Sequence, residues 1–285
     1  MDKIQTAAVI GAGQMGSGIA DILSRSGYTV LLQDASEEAL RRGTAVMQKN
    51  RDRLVGKGKL SQEEALAAQK RICCTASLEE LAAADFVIEA VPEDLALKQK
   101  LFAQLGTICR EDTILCTNTS SFSVTEIMKD CAHPERCAGM HFFFPVYAMR
   151  LVEMIRAEHT SDETIAAVRD LALALGKTPV VCKTDSPGFI VNRCLFAFML
   201  EAIHVYEDGV ASLEDIDTAI KLGLNHPMGP FEMMDLSGLD TFPHVTQTLE
   251  SLPVTSWACP ESVKELVREG KYGRKTGEGW YSYSE

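Results

Sequence analysis

The apolar run Ala7-Ala8-Val9-Ile10 feeds directly into Gly11-Ala12-Gly13-Gln14-Met15-Gly16, and the next apolar run, Tyr28-Thr29-Val30-Leu31-Leu32, leads to Asp34. A strand, a G-x-G-x-x-G turn, an amphipathic stretch (Ile19, Ile22, Leu23) and a second strand closed by an acid form the setting in which such glycines cradle a dinucleotide. Gly11 permits the tight turn, and Gly13 lets a pyrophosphate approach the backbone. Gly16 allows the following helix to pack closely, with its N-terminal N–H groups facing the phosphates. The glycines alone would equally serve an ordinary strand-to-helix turn; the flanking strands and Asp34 favour the ligand site. A carboxylate at this position accepts from a ribose 2′-hydroxyl and repels a 2′-phosphate, so NAD is expected rather than NADP.

Strand-like runs alternate with helical patterns through the first two-thirds of the chain, the signature of a parallel sheet covered by helices. A long helix is expected from Glu37 to Val55, followed by a capped helix start at Ser61-Gln62-Glu63-Glu64. Further strands are expected at Arg71–Cys74, Asp85–Val91, Thr113–Thr117, Cys137–Phe144, Leu151–Ile155 and Pro179–Cys182, with helices over Glu93–Leu105 and Asp162–Leu175. From Ser186 onward only helical periodicities remain: Pro187–Tyr206, Leu213–Leu222, Phe231–Leu249 and Pro260–Glu269. Ser186 reads as an N-cap with Pro187 in the first turn. The expected architecture is therefore α/β, a Rossmann-like, mostly parallel, doubly wound sheet over residues 1–185 followed by an all-α domain over 186–285. The first helix of that second domain is apolar on more than one face, so it lies at the centre of a bundle or at a contact with another subunit.

At 285 residues, two cores are the natural expectation. No stretch is long and apolar enough to suggest a membrane span, and the start of the chain reads as a strand instead of a signal peptide. Nine scattered cysteines without a CxxC pair point to a reducing, cytoplasmic setting, to thiols used mostly as small buried apolar groups, and away from a zinc site. A net charge of −12 argues against a nucleic-acid surface. One local exception runs from Arg41 to Lys59, where seven basic residues face the single acid Asp52. Arg42, Lys49, Arg53 and Lys57 share one helical face there, which serves either as a solvated charged surface or as an anion contact.

Three polar groups fall at the ends of predicted strands or at the start of the helical domain, where ligands bind in such sheets: Asn118-Thr119-Ser120-Ser121, His141-Phe142-Phe143-Phe144-Pro145, and Asp185-Ser186-Pro187-Gly188-Phe189-Ile190-Val191-Asn192-Arg193. With Leu151-Val152-Glu153 and the tail Lys275-Thr276-Gly277-Glu278-Gly279-Trp280-Tyr281, and in this order, they resemble the L-3-hydroxyacyl-CoA dehydrogenase family, in particular its short bacterial 3-hydroxybutyryl-CoA type. The resemblance covers nearly the whole chain. It implies catalytic roles for His141, Glu153, Ser120 and Asn192, and NAD contacts from Gly11, Gly13, Gln14, Met15, Gly16, Asp34, Glu93, Lys98, Ser120 and Lys275, with Lys98 and Lys275 supplying positive charge. It also implies that the basic face meets the phosphates of an acyl-CoA through Arg53 and Lys57, with Ser120 also at the substrate, and that the chain forms a homodimer through its helical domain. Fatty acid and butyrate metabolism are the implied setting.

The chemistry such residues suit can be stated from their side chains. Oxidising a secondary alcohol removes a hydroxyl proton as hydride leaves carbon, and a neutral imidazole suits that proton. A carboxylate on its other nitrogen would hold the tautomer, and a hydroxyl and an amide would bind the substrate oxygens. Each residue also has a plainer use: a core histidine beside three phenylalanines, a turn serine, a helix amide, a charge at a strand end. The family usually has Asn where this chain has Phe144, which removes a hydrogen-bonding group and places a large ring there. That departure bears on efficiency and substrate choice more than on reaction class. Two other readings stay open: an NAD-dependent dehydrogenase of free hydroxy acids or carnitine-like alcohols, and an NAD-binding protein with little turnover.

Overall fold

The structure, a computed structural model, describes residues 4–249 and 259–283, and the chain divides into two compact units, Met1–Ser186 and Pro187–Glu285. The first unit alternates strands and helices in the order β1 (Thr6–Ile10), α1 (Gln14–Arg25), β2 (Thr29–Gln33), α2 (Glu37–Gly56), α3 (Gln62–Lys70), β3 (Ile72–Thr75), β4 (Phe86–Glu89), α4 (Leu95–Ile108), β5 (Ile114–Thr117), α5 (Val124–Met128), β6 (Cys137–Phe142), β7 (Leu151–Ile155), α6 (Asp162–Ala174) and β8 (Thr178–Cys182). The strands form one eight-stranded sheet in the order β3-β2-β1-β4-β5-β6-β7-β8. Every neighbouring pair is parallel except β6 and β7, which run antiparallel. The carboxyl ends of β1, β2, β4, β5 and β6 therefore share one edge, and the chain returns from that edge as β7.

Central strands of such a sheet are covered on both faces, which is why they read as near-continuous apolar runs. All four residues of β4 are buried, and Val9, Ile19, Leu23, Phe86, Ile88 and Met140 belong to one core cluster. Each such side chain contributes about 1.5–3 kcal/mol by leaving water. Local signals fix the helix starts: Ser36 accepts from the Ala39 N–H to cap α2, and Ser61 with Glu64 forms the expected capping box at α3. The sixth strand stops at Phe142 rather than Phe144, because the Phe142 N–H is taken by the Asn118 side chain at 2.8 Å and the chain then turns through Phe143-Phe144-Pro145.

The second unit carries five α-helices among its described residues, α7 (Val191–Glu207), α8 (Leu213–Gly223), α9 (Pro230–Ser237), α10 (Phe242–Leu249) and α11 (Glu261–Arg268), followed by a tail with isolated bridges from Gly273 to Glu278 and from Glu278 to Ser282. Its core gathers Phe196, Met199, Ile203, Phe231, Met234 and Val263, and the Trp280 ring meets Phe231 edge-on at 5.0 Å. Two buried carboxylates tie the tail to the helices. Asp235 accepts from the N–H groups of Trp280 (2.9 Å) and Tyr281 (3.1 Å), while Asp217 accepts from Phe231 N–H, Glu232 N–H and the Tyr281 hydroxyl.

Three sequence expectations are corrected here. Ser186 and Pro187 do not start a helix: Gly188 (φ 72°) and Phe189 (φ 50°) are left-handed, so α7 begins only at Val191. The single helix expected over Phe231–Leu249 is broken, because Gly238 takes φ 93° and separates α9 from α10. Burial of most cysteines is also not observed; Cys116, Cys131, Cys137 and Cys182 are buried, whereas Cys73, Cys74 and Cys194 are exposed.

Candidate active site

The glycine turn joins β1 to α1 at the carboxyl edge of the sheet. Gly11 has φ 95°, and a Cβ on it would lie 2.6 Å from the Ala90 carbonyl oxygen. A Cβ on Gly16 would lie 1.8 Å from the Gly11 carbonyl oxygen, so this glycine is fixed by packing. Gly13 differs, since a Cβ there would meet nothing within 4 Å. It opens onto free space at the start of α1, where no side chain caps the helix and no acid occupies the first turn, which includes Gln14 and Met15. An uncapped, acid-free helix start beside an open glycine suits a pyrophosphate. Asp34 closes β2 and is held in place by the N–H groups of Ala12 (2.8 Å) and Ser36 (2.9 Å). It borders a cavity of about 290 Å³ walled by Ile10, Leu78, Val91, Pro92 and Leu101, which has the apolar lining and the single carboxylate that suit an adenosine. The residues present therefore fit NAD.

Sequence reasoning missed the network beneath the next strand ends. Glu89, the last residue of β4, is fully buried and accepts from Lys98 Nζ (2.6 Å), Thr117 Oγ1 (2.6 Å) and the Val91 N–H (2.7 Å). Lys98 Nζ also reaches Glu93 at 3.2 Å, and Glu93 in turn accepts from the Ser120 N–H (2.7 Å), Ser120 Oγ (3.0 Å) and Thr119 Oγ1 (3.0 Å). Glu93, Lys98 and Ser120 are thus brought together. Lys98, expected as a positive charge for the dinucleotide, is 1% exposed and paired with the carboxylates of Glu89 and Glu93. A glutamate ending an otherwise apolar strand was the one available signal for Glu89.

His141 and Glu153 sit opposite each other in the β6–β7 register. Directly paired residues of antiparallel strands project to the same face, and here His141 Nδ1 lies 2.8 Å from Glu153 Oε2. Both side chains are buried, at 7% and 1% exposure, and the Phe143 ring leans against the imidazole at 4.5 Å. With the carboxylate accepting from Nδ1–H, Nε2 is left as the basic nitrogen. Phe144 is 57% exposed.

Of the basic residues on α2, Arg51 turns inward and pairs with Asp21 at 3.4 Å, while Arg41 and Arg42 pair with Glu37 and Glu38 one turn earlier. Lys49 and Arg53 stay exposed, as does Lys57 at the C-cap of α2, and the Arg53 guanidinium stacks on the Tyr147 ring at 4.5 Å. Asn192 and Lys275 belong to the second unit. Asn192 lies half-buried in the first turn of α7, and Lys275 pairs with Asp240 and stands 5.8 Å from the Tyr272 ring.

A sheet of this order with a glycine cradle and an acid at the second strand end defines a dinucleotide-binding α/β domain, followed here by a helical one. The family model of the 3-hydroxyacyl-CoA dehydrogenase NAD binding domain matches residues 6–186, and that of the family's C-terminal domain matches residues 188–283. A 3-hydroxybutyryl-CoA dehydrogenase of Clostridioides difficile is 41% identical over 97% of this chain and 99% of its own. The crystal structure of an (S)-3-hydroxybutyryl-CoA dehydrogenase from Ralstonia eutropha superposes with a TM-score of 0.95 at 42% identity, covering 99% of this chain and all of the other. That of a diketoreductase acting on dicarbonyl compounds gives 0.88 at 28% identity, with 99% and 100% covered. The chain belongs to the 3-hydroxyacyl-CoA dehydrogenase family and carries that family's NAD-binding domain.

Proposed function

We propose that this protein is an NAD-dependent dehydrogenase that interconverts a short-chain (S)-3-hydroxyacyl-CoA, such as (S)-3-hydroxybutyryl-CoA, with the corresponding 3-oxoacyl-CoA. The observation that carries this reading is the buried His141–Glu153 pair on the sheet edge that also bears the glycine cradle. Bound NAD supplies the hydride acceptor for the alcohol and, as NADH, the hydride donor for the ketone. His141 Nε2 takes the hydroxyl proton in oxidation and returns it in reduction. Glu153 keeps Nδ1 protonated and steadies the imidazolium while it lasts. Ser120, oriented by Glu93, and Asn192 bind the substrate oxygens. Gln14 and Met15 border the pyrophosphate, Lys275 serves the dinucleotide, and Arg53 with Lys57 meets the CoA phosphates.

Nine free thiols support a reducing, cytoplasmic location, and no described helix is long and apolar enough to cross a membrane. Exposed apolar side chains on the second unit, Val210 at 72%, Leu222 at 80% and Leu224 at 60%, support a homodimer through that unit. The resemblance to a diketoreductase keeps a second reading in view, a dehydrogenase of non-CoA hydroxy acids or carnitine-like alcohols.

The test follows NADH absorbance with 3-oxoacyl-CoA substrates of increasing length, each beside its free acid. Turnover of acetoacetyl-CoA about a hundredfold above acetoacetate is expected. Equal rates move the assignment to the non-CoA reading. No turnover of either, restored by Phe144→Asn, makes the protein a weakly active NAD-binding homologue.

A further inference from the structure

A second cavity of about 370 Å³ lies in the first unit, away from the glycine cradle. It is bounded by the end of α1, the α2–α3 connection, the loop before β7 and the turn before β8, and four cations line it: Arg25, Lys59, Arg150 and Lys177. The one acid in the lining, Glu64, is already committed to the capping box at Ser61.

Lys177 makes this cavity unusual. Its side chain is buried, and its ammonium donates to the carbonyl oxygens of Val146 and, at 2.7 Å, Met149. Among the described residues no carboxylate forms an ion pair with it. Two neutral acceptors serve three protons, and one positive charge is left without a counter-charge at low solvent exposure. Burial and the nearby Arg25 guanidinium both push the Lys177 amine below its ordinary pKa. Arg25 adds its own unmet demand, since its Nε is buried without an acceptor and its carboxylate neighbour Asp21 is 3.7 Å away at Nη1. Lys59 and Arg150 stand exposed at the rim. Tyr147, a further wall residue, carries Arg53 on its ring, so the cavity continues the basic face of α2.

We propose that this cavity is an anion site that takes a phosphoryl group. Convergent ammonium and guanidinium donors from four segments match a group with several acceptor oxygens pointing in different directions, whereas a carboxylate offers a single plane. Two sources carry that chemistry. One is the nucleotide end of an acyl-CoA, which rests on the function proposed above; the other is free phosphate or a phosphate ester, which does not.

The experiment titrates the full-length protein, without cofactor or acyl substrate, with inorganic phosphate and with adenosine 3′,5′-bisphosphate, reading heat and melting temperature against sodium chloride of equal ionic strength. Saturable binding of at least one probe is expected, weakened about tenfold in Lys59→Gln/Arg150→Gln, because two exposed, solvent-screened charges are together worth about that factor. If the same variant raises KM for acetoacetyl-CoA about tenfold at unchanged kcat, the phosphate is that of coenzyme A. If KM is unchanged while phosphate binding is lost, the ligand is a free phosphate. Binding that does not exceed chloride, or that persists in both Lys59→Gln/Arg150→Gln and Arg25→Gln, overturns the site. Because the titration needs no turnover, its failure is separable from failure of the dehydrogenase reading.

Discussion

His141 and Glu153 are cross-strand partners at the antiparallel step between β6 and β7, and the reversal of β7 is what brings the carboxylate to the imidazole. Had β7 run parallel to β6, a right-handed crossover would have stood between them and the close residue pairing would be different. If the pair moves the substrate proton, His141→Gln should lower kcat about a thousandfold, and Glu153→Gln about a hundredfold, with NADH affinity within about twofold of wild type. Stopped-flow absorbance and NADH fluorescence titration check this. Unchanged turnover in His141→Gln removes the assignment.

Gly13 and Gly16 separate binding from folding. Gly13→Ala places a methyl in open space, so the urea midpoint should stay close to wild type while the Kd for NADH rises about tenfold or more. Gly16→Ala drives a methyl into the Gly11 carbonyl and should cost about 2–3 kcal/mol of stability before any ligand is added. Equal stability of the two variants contradicts the geometry.

Lys98 and Glu89 form a buried pair with almost no solvent contact. Lys98→Met leaves the Glu89 carboxylate without its counter-charge and should destabilise the first unit by about 3 kcal/mol, whereas adding Glu89→Gln should recover part of that loss. Chemical denaturation of the single and double variants measures the coupling. Strict additivity would show that the pair is not a unit.

Arg53 on α2 and Lys57 at its C-cap are exposed cations. Arg53→Gln/Lys57→Gln should raise KM for an acyl-CoA about tenfold, leave kcat within about twofold, and flatten the salt dependence of KM. Steady-state rates at two ionic strengths decide it; an unchanged KM excludes this face from substrate binding.

Asp217 gives a pH signature. Burial raises its carboxyl pKa above the ordinary 3.8 despite three donors. The folded state then binds this proton more tightly than the unfolded state, so the associated stability is full below the unfolded value and is lost as pH rises through the folded one. Relative to Asp217→Asn, wild type should lose stability as pH rises from about 4, as read by thermal melts across that range. A difference that grows in the opposite direction contradicts the burial argument.

The helix beginning at Val191 and the break at Gly238 show where sequence reading failed. Ser186-Pro187 has the composition of a helix start, but the left-handed Gly188-Phe189 step postpones the helix, and nothing in local propensity announces a phenylalanine in that conformation. The pairing of Lys98 with Glu89 and Glu93 was not legible either, because a lysine near a phosphate cradle looks like a free charge until its neighbours are known.

The alternation of apolar strands with amphipathic helices, the glycine spacing before α1 and the acid at Asp34 were written in the chain, since each depends on residues close in sequence. The register that sets His141 against Glu153, the burial of Glu89 beneath Glu93 and Ser120, and the meeting of Arg25 with Lys177 were decided only by tertiary structure. These relationships join groups far apart along the chain, and the strand order, helix packing and loss of solvent that create them arise only when the whole sheet is assembled.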